Sequence, residues 1–314
     1  MRKDFQQTTW DATLQQEWLE LVRLAIQEDF GKLGDLTTAA LVPPGVEGRA
    51  ALVARGPGVL AGVPAVHSAL PEIDARLRAA PCAQDGDVLV AGQTIAWLSG
   101  PAASLLQGER LILNVLGRLS GIATLTRRYV DAVAGTKARI YDTRKTTPAW
   151  RRLEKYAVRC GGGCNHRTGL YDGVLIKDNH LAIGAAVAGA DALRYGPGEA
   201  VRRARRYLEQ QHPETAGRGM IVEVEVDRLL QLDEVFPAGP DIVLLDNMSP
   251  AELREAVARR DAGFPHVELE ASGGIDLQTV RAVALTGVDR ISVGALTHSA
   301  VCLDIGLDWT GDGV

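Results

Sequence analysis

The basic residues of this chain concentrate between residues 140 and 180. This stretch carries eight Lys/Arg against four Asp/Glu, in a protein of 314 residues whose formal net charge is -5. Several of its basic side chains follow directly on a short apolar run or a glycine triplet, namely Arg144, Lys145, His166, Arg167 and Lys177. A strand or a glycine-rich loop ends at such positions. The local excess of positive charge predicts an anionic ligand, because Arg and Lys are the usual partners of carboxylates and phosphates.

The second half of the chain alternates between strand-like and helix-like segments. Apolar runs occur at residues 138–142, 173–177, 220–226, 241–245, 266–271 and 289–293. Helical patterns lie between the later runs, at Asp227–Phe236, Pro250–Arg260 and Leu277–Leu285. Strands that alternate with helices form parallel βαβ units. Six or seven such strands favour an incomplete or small α/β barrel over an open sheet.

Polar residues and glycines stand where these predicted strands end. The ends are Asp142–Lys145, Lys177–His180, Glu223–Glu225, Asp246–Asn247, Glu270–Gly274 and Ser292–Gly294. In α/β barrels the carboxyl ends of the strands line the active site, while the interior is packed with side chains. A Ser-Gly-Gly turn before a predicted helix suits a phosphate group. A ligand with a phosphate, a magnesium-bridged pyrophosphate and carboxylates would use all of these groups.

The first part of the chain predicts a different architecture. Residues Thr13–Glu28 place apolar side chains at helical spacing. From Gly48 to about Gly100, short apolar runs bounded by glycine and aspartate indicate strands with turns, so this region is predicted to be a small mixed α/β domain. From Pro101 to Val133 the helical spacing of apolar residues returns.

Composition narrows the class of protein. Hydrophobic residues make up 46% and charged residues 23%, as in compact soluble domains. We expect a cytoplasmic protein without a membrane partner, since no apolar stretch reaches the roughly 18 residues of a membrane span. The basic stretch lacks interleaved aromatic residues, which argues against nucleic acid. Cys160 and Cys164 have only His166 nearby as a further ligand, which disfavours a metal–thiolate site.

Simpler structural roles compete with these interpretations. Arg151, Arg152 and Lys155 fit the solvated face of an amphipathic helix. His166 alone would more often be a hydrogen-bonded structural histidine than a catalytic one. The other charged residues could instead form ion pairs at the strand ends. Arg144 and Lys145 could pair with Asp142. Glu225 and Asp246 could pair with Lys177.

Several long motifs in this chain resemble one enzyme family. DTRKTTPAWRRLEKYAVRCGGGCNHRTGLYDGVLIKDNH, EVEVD, VLLDNM, LEASGGI and ISVGALTHSA are similar to quinolinate phosphoribosyltransferases, also called carboxylating nicotinate-nucleotide pyrophosphorylases. The resemblance runs in order from EDFGKLGDLTT near the start of the chain to its end.

The resemblance implies a fold and a reaction. The expected fold is an N-terminal α/β sandwich at residues 1–120 and an incomplete, six- to seven-stranded α/β barrel at residues 121–298. The tail at 299–314 is expected to pack back on the sandwich. The implied enzyme is a homodimeric type II phosphoribosyltransferase of de novo NAD biosynthesis. It would convert quinolinate and phosphoribosyl pyrophosphate, with Mg²⁺, into nicotinate mononucleotide, pyrophosphate and carbon dioxide.

The same resemblance implies roles for the substrate-binding cations. The carboxylates of quinolinate would be surrounded by Arg144, His166, Arg167 and Lys177, and Thr143 would be a further substrate-binding residue. Lys145 would lie between quinolinate and the pyrophosphate and take part in catalysis. Arg110, from the helix that contains ERxxxN, would reach into the active site of the partner subunit.

The acidic residues and glycines are implied to bind the sugar phosphate. Glu225 and Asp246 would face the ribose as catalytic groups, with Mg²⁺ held near them mainly through the pyrophosphate and water. The 5′-phosphate would lie against Ser272, Gly273, Gly274 and Gly294.

Three other functions remain open at this level. A related pyridine phosphoribosyltransferase could act on another ring without decarboxylation. A Schiff-base lyase could use Lys177 as its nucleophile, and a regulatory module could keep the fold without catalysis. Release of carbon dioxide from quinolinate would separate all three from the implied reaction.

Overall fold

The computed structural model describes residues 4–188, 195–214 and 219–310, which form two compact units. Of the described residues, 4–7, 128–145, 164–188, 195–214 and 219–295 belong to the barrel unit, and 8–127, 146–163 and 296–310 belong to the sandwich unit. The predicted domain boundary between residues 120 and 121 lies inside a long helix, Ala102–Ala132. That boundary stays a prediction.

The sandwich unit is built on an antiparallel sheet. Its strands are β1 (Glu47–Ala54), β2 (Gly58–Val59), β3 (Arg78–Pro81), β4 (Val88–Leu89), β5 (Thr94–Pro101) and the chain's last strand, β12 (Ile305–Trp309). Four of them form one sheet in the order β12-β1-β5-β3, and β2 pairs with β4. β12 runs antiparallel to β1, with Leu307 opposite Leu52. A late segment of the chain thus completes a sheet begun near residue 47.

Helices of the sandwich unit are α1 (Ala12–Phe30), α2 (Leu36–Leu41), α3 (Val63–Ile73), α4 (Ala102–Ala132, whose last residues belong to the barrel unit) and α5 (Arg151–Cys160). The predicted helices at 13–28 and 101–133 are confirmed as α1 and α4. α1 begins at Asp11, whose carboxylate accepts a hydrogen bond from the backbone N–H of Leu14.

The sequence patterns did not predict α3, which lies where strands and turns were expected. Its start is stabilised from a distance, because the Asp85 carboxylate accepts hydrogen bonds from the backbone N–H groups of Gly62 and Val63. Pro64 follows at the start of the helix, where proline is tolerated. A cap supplied by a residue more than twenty positions later leaves no local signal in the sequence.

The barrel unit contains a six-stranded parallel sheet. The strands are β6 (Arg139–Tyr141), β7 (Val174–Ile176), β8 (Val222–Val226), β9 (Ile242–Asp246), β10 (Glu268–Ser272) and β11 (Arg290–Ser292). Their order is β6-β11-β10-β9-β8-β7. Each of the six predicted apolar runs forms one of these strands. Within the described residues β6 and β7 are the two edges and do not pair, so the predicted incomplete barrel is confirmed.

Helices and helical turns connect these strands. They are α6 (Asp178–Ala188), α7 (Pro197–Gln211), α8 (Leu232–Val235), α9 (Pro250–Gly263), α10 (Val280–Ala284) and α11 (Ala295–His298). α8 is flanked by two 3₁₀ turns, at Leu229–Gln231 and Phe236–Ala238. α10 is shorter than the predicted helix at 277–285, because Asp276 first forms a turn by accepting hydrogen bonds from Gln278 and Thr279.

Residues 4–7 pack against the strands of the barrel unit. Phe5 is buried with Ile221 and Ile242, near the amino ends of β8 and β9. The carboxylate of Asp4 lies 2.7 Å from Arg139 and 3.1 Å from Arg290. Residues 4–7 therefore lie at the end of the sheet opposite to the carboxyl ends of the strands.

None of the helices in the described part of the chain has both the length and the apolarity that crossing a bilayer requires.

Candidate active site

The candidate site is formed by the carboxyl ends of all six parallel strands. In sheet order these ends carry Thr143–Lys145 after β6, Gly294 after β11, Ser272–Gly274 at β10, Asp246 at β9, Glu225 in β8 and Lys177 after β7. Ser272 lies directly opposite Asp246 in the paired register of β10 and β9. The parallel sheet thus brings residues from Thr143 to Gly294, which are far apart in the sequence, to one edge.

The Ser-Gly-Gly turn after β10 requires glycine. Gly273 has φ +97° and Gly274 has φ +61°, both in the region that other residues rarely adopt. A Cβ atom on Gly273 would lie 2.1 Å from Oδ1 of Asn247, so this position is sterically closed to side chains. The helix expected directly after the turn starts only at Val280. The turn therefore offers an anion its backbone N–H groups and not the N-terminus of a helix.

Asn247 connects the ends of β9 and β10. It has the unusual positive φ of 54° for a residue other than glycine. Its backbone N–H donates to the carbonyl of Ser272 over 2.9 Å, and its side-chain amide donates to the carboxylate of Asp246 over 2.8 Å. This side-chain hydrogen bond restrains the carboxylate of Asp246. Sequence analysis did not single out Asn247, although the Asp-Asn pair at a strand end was visible.

Lys177 and Glu225 form an ion pair between β7 and β8. The lysine side chain is 45% exposed and the glutamate 14%, so both groups can be reached by a ligand. The interpretation of Glu225 as an ion-pair partner of Lys177 is therefore confirmed. For Asp246 the described hydrogen bond comes from Asn247 instead.

Arg144 and Arg167 carry positive charges that act on each other. Arg167 is 7% exposed, and its Nη1 donates to the backbone carbonyl of Gly173 over 3.0 Å. Burial, and next the positive charge of Arg144, lower the pKa of Arg167 from its ordinary value. Like charges held together in this way favour an anion between or beside them.

A short segment beside β6 carries Arg167 into the site. The backbone N–H of Cys164 donates a hydrogen bond to the backbone carbonyl of Ile140 over 2.7 Å. The buried carboxylate of Asp142 accepts hydrogen bonds from the side chain of Asn165 (2.7 Å) and the backbone N–H of His166 (2.9 Å). Asp142 thus has a clear structural role, which is to hold this segment against the barrel.

His166 lies in the interior of the barrel. Its ring is 7% exposed, and Nε2 lies 2.9 Å from Oε2 of Glu223 and 3.6 Å from Oε1 of Glu270. Nδ1 accepts the backbone N–H of Arg167 over 2.8 Å. Both ring nitrogens therefore face groups of the protein. The implied contact of His166 with quinolinate stays a prediction.

Three of the basic residues and Arg110 belong to the sandwich unit. Arg151 and Arg152 are partly exposed on α5, as a solvated helix face predicts, and Arg152 pairs with Asp11 over 3.1 Å. Lys155 is fully buried, so the predicted solvated face is wrong for this residue. Arg110 is exposed on α4, and its implied role in a partner subunit stays a prediction.

Two protein-family models match this chain. A model of the quinolinate phosphoribosyl transferase N-terminal domain matches residues 35–120, and a model of the C-terminal domain matches residues 122–308. The chain belongs to the quinolinate phosphoribosyltransferase family. This membership agrees with the family that the sequence motifs indicated.

Relatives of the quinolinate phosphoribosyltransferase family match nearly the whole chain. A nicotinate-nucleotide pyrophosphorylase [carboxylating] of Mycobacterium leprae is 46% identical over 291 residues, covering 92% of this chain and 96% of that protein. A probable enzyme of the same name from Bacillus subtilis is 42% identical over 284 residues, covering 90% of each. The solved nicotinate-nucleotide pyrophosphorylase of Francisella tularensis has a TM-score of 0.84 at 33% identity, covering 98% of this chain and all of that one.

Proposed function

We propose that this protein catalyses the quinolinate phosphoribosyltransferase reaction of de novo NAD biosynthesis. Quinolinate and phosphoribosyl pyrophosphate would give nicotinate mononucleotide, pyrophosphate and carbon dioxide. Besides family membership, one observation supports the proposal most directly. Arg144 and the largely buried Arg167 are close enough that their charges interact, which suits a substrate with two carboxylates.

Quinolinate would lie near the open seam between the edge strands β6 and β7. Arg144 and Arg167 would bind its carboxylates, and Lys177 would add charge from β7. Lys177 pairs with Glu225 in the protein as described, so substrate would compete with this carboxylate for the ammonium group. Lys145, exposed next to Arg144, is proposed to lie between quinolinate and the pyrophosphate.

Phosphoribosyl pyrophosphate would bind across β8 to β11. The turn Ser272–Gly274 and Gly294 would hold the 5′-phosphate through backbone N–H groups. Glu225 and Asp246 present carboxylate oxygens at neighbouring strand ends, the type of donor that Mg²⁺ prefers, so the residues fit this ion. When bound with the pyrophosphate, Mg²⁺ would neutralise part of the charge on the leaving group.

Positioning accounts for most of the proposed chemistry. The pyridine nitrogen forms a bond to C1′ of the ribose while the bond from C1′ to the pyrophosphate oxygen breaks. Positive charge grows on the ribose during this step, and the carboxylates of Glu225 and Asp246 stabilise it. The ribosylated nitrogen is cationic, so the ring can accept the electron pair released when the neighbouring carboxylate leaves as carbon dioxide. A proton from water then replaces that carboxylate.

The test uses quinolinate labelled at its 2-carboxylate, with phosphoribosyl pyrophosphate and Mg²⁺. Labelled carbon dioxide and pyrophosphate should appear in equal amounts. A parallel reaction with nicotinate, which lacks the second carboxylate, should yield little product. Turnover of nicotinate without carbon dioxide would instead indicate the related phosphoribosyltransferase without decarboxylation.

The proposal includes a homodimer in which Arg110 serves the site of the partner subunit. Arg110 is exposed on α4 together with Leu106 and Asn114, one helical turn away on either side. Arg110→Ala and Lys145→Ala should each be nearly inactive alone. Mixed dimers of the two variants would contain one intact site, so mixing should restore roughly a quarter of wild-type activity. No recovery in verified mixed dimers would place Arg110 in its own subunit's site or outside any site.

A further inference from the structure

A buried pair of glutamates lies directly beneath the candidate active site. Glu223 of β8 and Glu270 of β10 both have no solvent exposure. Each lies two residues before a site position on the same strand, Glu225 and Ser272. Their carboxylates face the Nε2 atom of His166, at 2.9 and 3.6 Å. Carboxylates buried in a barrel are costly unless they serve a specific partner.

The hydrogen bonding of His166 defines where its ring carries a proton. Nδ1 accepts the backbone N–H of Arg167, so this nitrogen has no proton of its own. The proton of the neutral ring is therefore on Nε2, which faces the two carboxylates. Among the described residues, these three side chains form a group whose potential metal-ligand atoms all lie within 4.8 Å of one another. A ligating histidine needs an unprotonated nitrogen toward the metal, so this donor set does not suit one.

The rest of the surroundings also holds His166 in place. The ring of Phe5 lies 4.5 Å from the imidazole ring, centroid to centroid. The carboxylate of Asp142 accepts a hydrogen bond from the backbone N–H of His166. The side-chain oxygen of Gln7 accepts one from the backbone N–H of the preceding residue, Asn165, over 2.7 Å. The ring thus connects the barrel interior to the backbone of Arg167, whose side chain is itself fixed to the carbonyl of Gly173.

We propose that Glu223 and Glu270 are positioning residues, which hold the His166 ring so that its Nδ1 fixes the backbone of Arg167 for binding a substrate carboxylate. This inference rests on the proposed function. It gives His166 a role through Arg167, in addition to the contact with quinolinate that the family resemblance implied. The two glutamates themselves touch no substrate.

The first test compares glutamate-to-glutamine variants, which keep size and remove charge. In Glu223→Gln and in the double variant with Glu270→Gln, the KM for quinolinate should rise about tenfold or more, a change of roughly 1.4 kcal/mol per factor of ten. The KM for phosphoribosyl pyrophosphate should stay within about twofold of wild type. Glu268→Gln is the matched control, because Glu268 is as buried on the same strand but pairs with Arg290 instead of His166. It should lower stability without raising the KM for quinolinate.

The second test replaces the histidine and does not depend on how well the glutamine variants fold. The oxygen of Asn can stand in for Nδ1 and accept the Arg167 N–H, whereas the amide nitrogen of Gln stands in for Nε2. His166→Asn should therefore bind quinolinate several-fold more tightly than His166→Gln. Equal or better binding by His166→Gln would overturn the proposal, because it would mean that acceptance of the Arg167 backbone N–H by residue 166 does not support quinolinate binding. An unchanged KM for quinolinate in folded Glu223→Gln protein would also overturn it. Wild-type turnover of quinolinate tests the proposed function separately.

Discussion

Two layers of polar residues in the barrel unit differ in burial although they come from the same strands. The upper layer, at the strand ends, contains Lys177 and Glu225, whose side chains are 45% and 14% exposed. The inner layer begins two residues earlier and contains Glu223, Glu270 and Arg290, which are fully buried. Residues of the same chemical type therefore have different roles. On these strands we therefore propose that the exposed groups bind substrate and that the buried groups hold the framework.

Substitutions in the inner layer should destabilise the protein most. Arg290 is fully buried, pairs with Glu268, lies 3.1 Å from Asp4 and stacks over the ring of Tyr141 at 4.6 Å. Arg290→Met would leave buried carboxylates without their cation, so we expect the free energy of unfolding to fall by about 3–5 kcal/mol. Urea denaturation measures this change.

Arg139 provides the control for that variant. It also pairs with Asp4, over 2.7 Å, but its side chain is 43% exposed. Arg139→Met should cost about 1 kcal/mol or less, because water screens an exposed pair. Equal losses in the two variants would show that burial does not separate framework residues from the others.

Substitutions in the upper layer and at its neighbouring cations should lower activity more than stability. Arg167→Ala or Lys145→Ala should weaken quinolinate binding by roughly 2–3 kcal/mol through lost charge-assisted contacts. Steady-state kinetics at saturating phosphoribosyl pyrophosphate measures the effect. Arg203→Ala, which removes an exposed ion pair with Glu199 on α7, should leave both kinetic constants unchanged. Unchanged KM and turnover in the first two variants would refute their assignment to the quinolinate site.

The Ser-Gly-Gly turn of the upper layer should respond differently at its two glycines. Gly273→Ala combines a positive φ with a clash against Asn247, and should cost about 1–3 kcal/mol in phosphoribosyl pyrophosphate binding. At Gly274 a Cβ atom would have no neighbour within 4 Å, so only backbone strain of about 1 kcal/mol applies. A larger effect at Gly274 would contradict the described turn geometry.

The inner layer should also make stability depend on pH. Burial, and next the negative charge of Glu223, raise the pKa of Glu270 to about 7, against an ordinary value of 4.5. Between these values the unfolded chain has lost the proton that the folded protein keeps, so stability falls as pH rises. From pH 6 to pH 7 we expect a loss of roughly 1 kcal/mol. Glu270→Gln should remove this loss, and the same slope in that variant would assign it to another group.

Much of the barrel unit could be predicted from local patterns. Each of the six apolar runs forms a strand, and the polar residues that follow them lie at one edge of the sheet. This succeeded because short buried strands give continuous apolar runs, and because parallel strands place their carboxyl ends together. The α3 helix escaped prediction, since its cap at Asp85 is distant in the sequence.

The sequence by itself determined which residues stand at the strand ends, because the position at which an apolar run stops depends only on the order of the residues. Tertiary structure alone decided which of them are buried together. Glu223 and Glu225 look alike in the sequence, yet one faces His166 inside the barrel and the other pairs with Lys177 at its rim. Depth in a barrel depends on how neighbouring strands are staggered and on what fills the interior, here Phe5 and His166 from distant segments. Neither leaves a trace in the local pattern of residues.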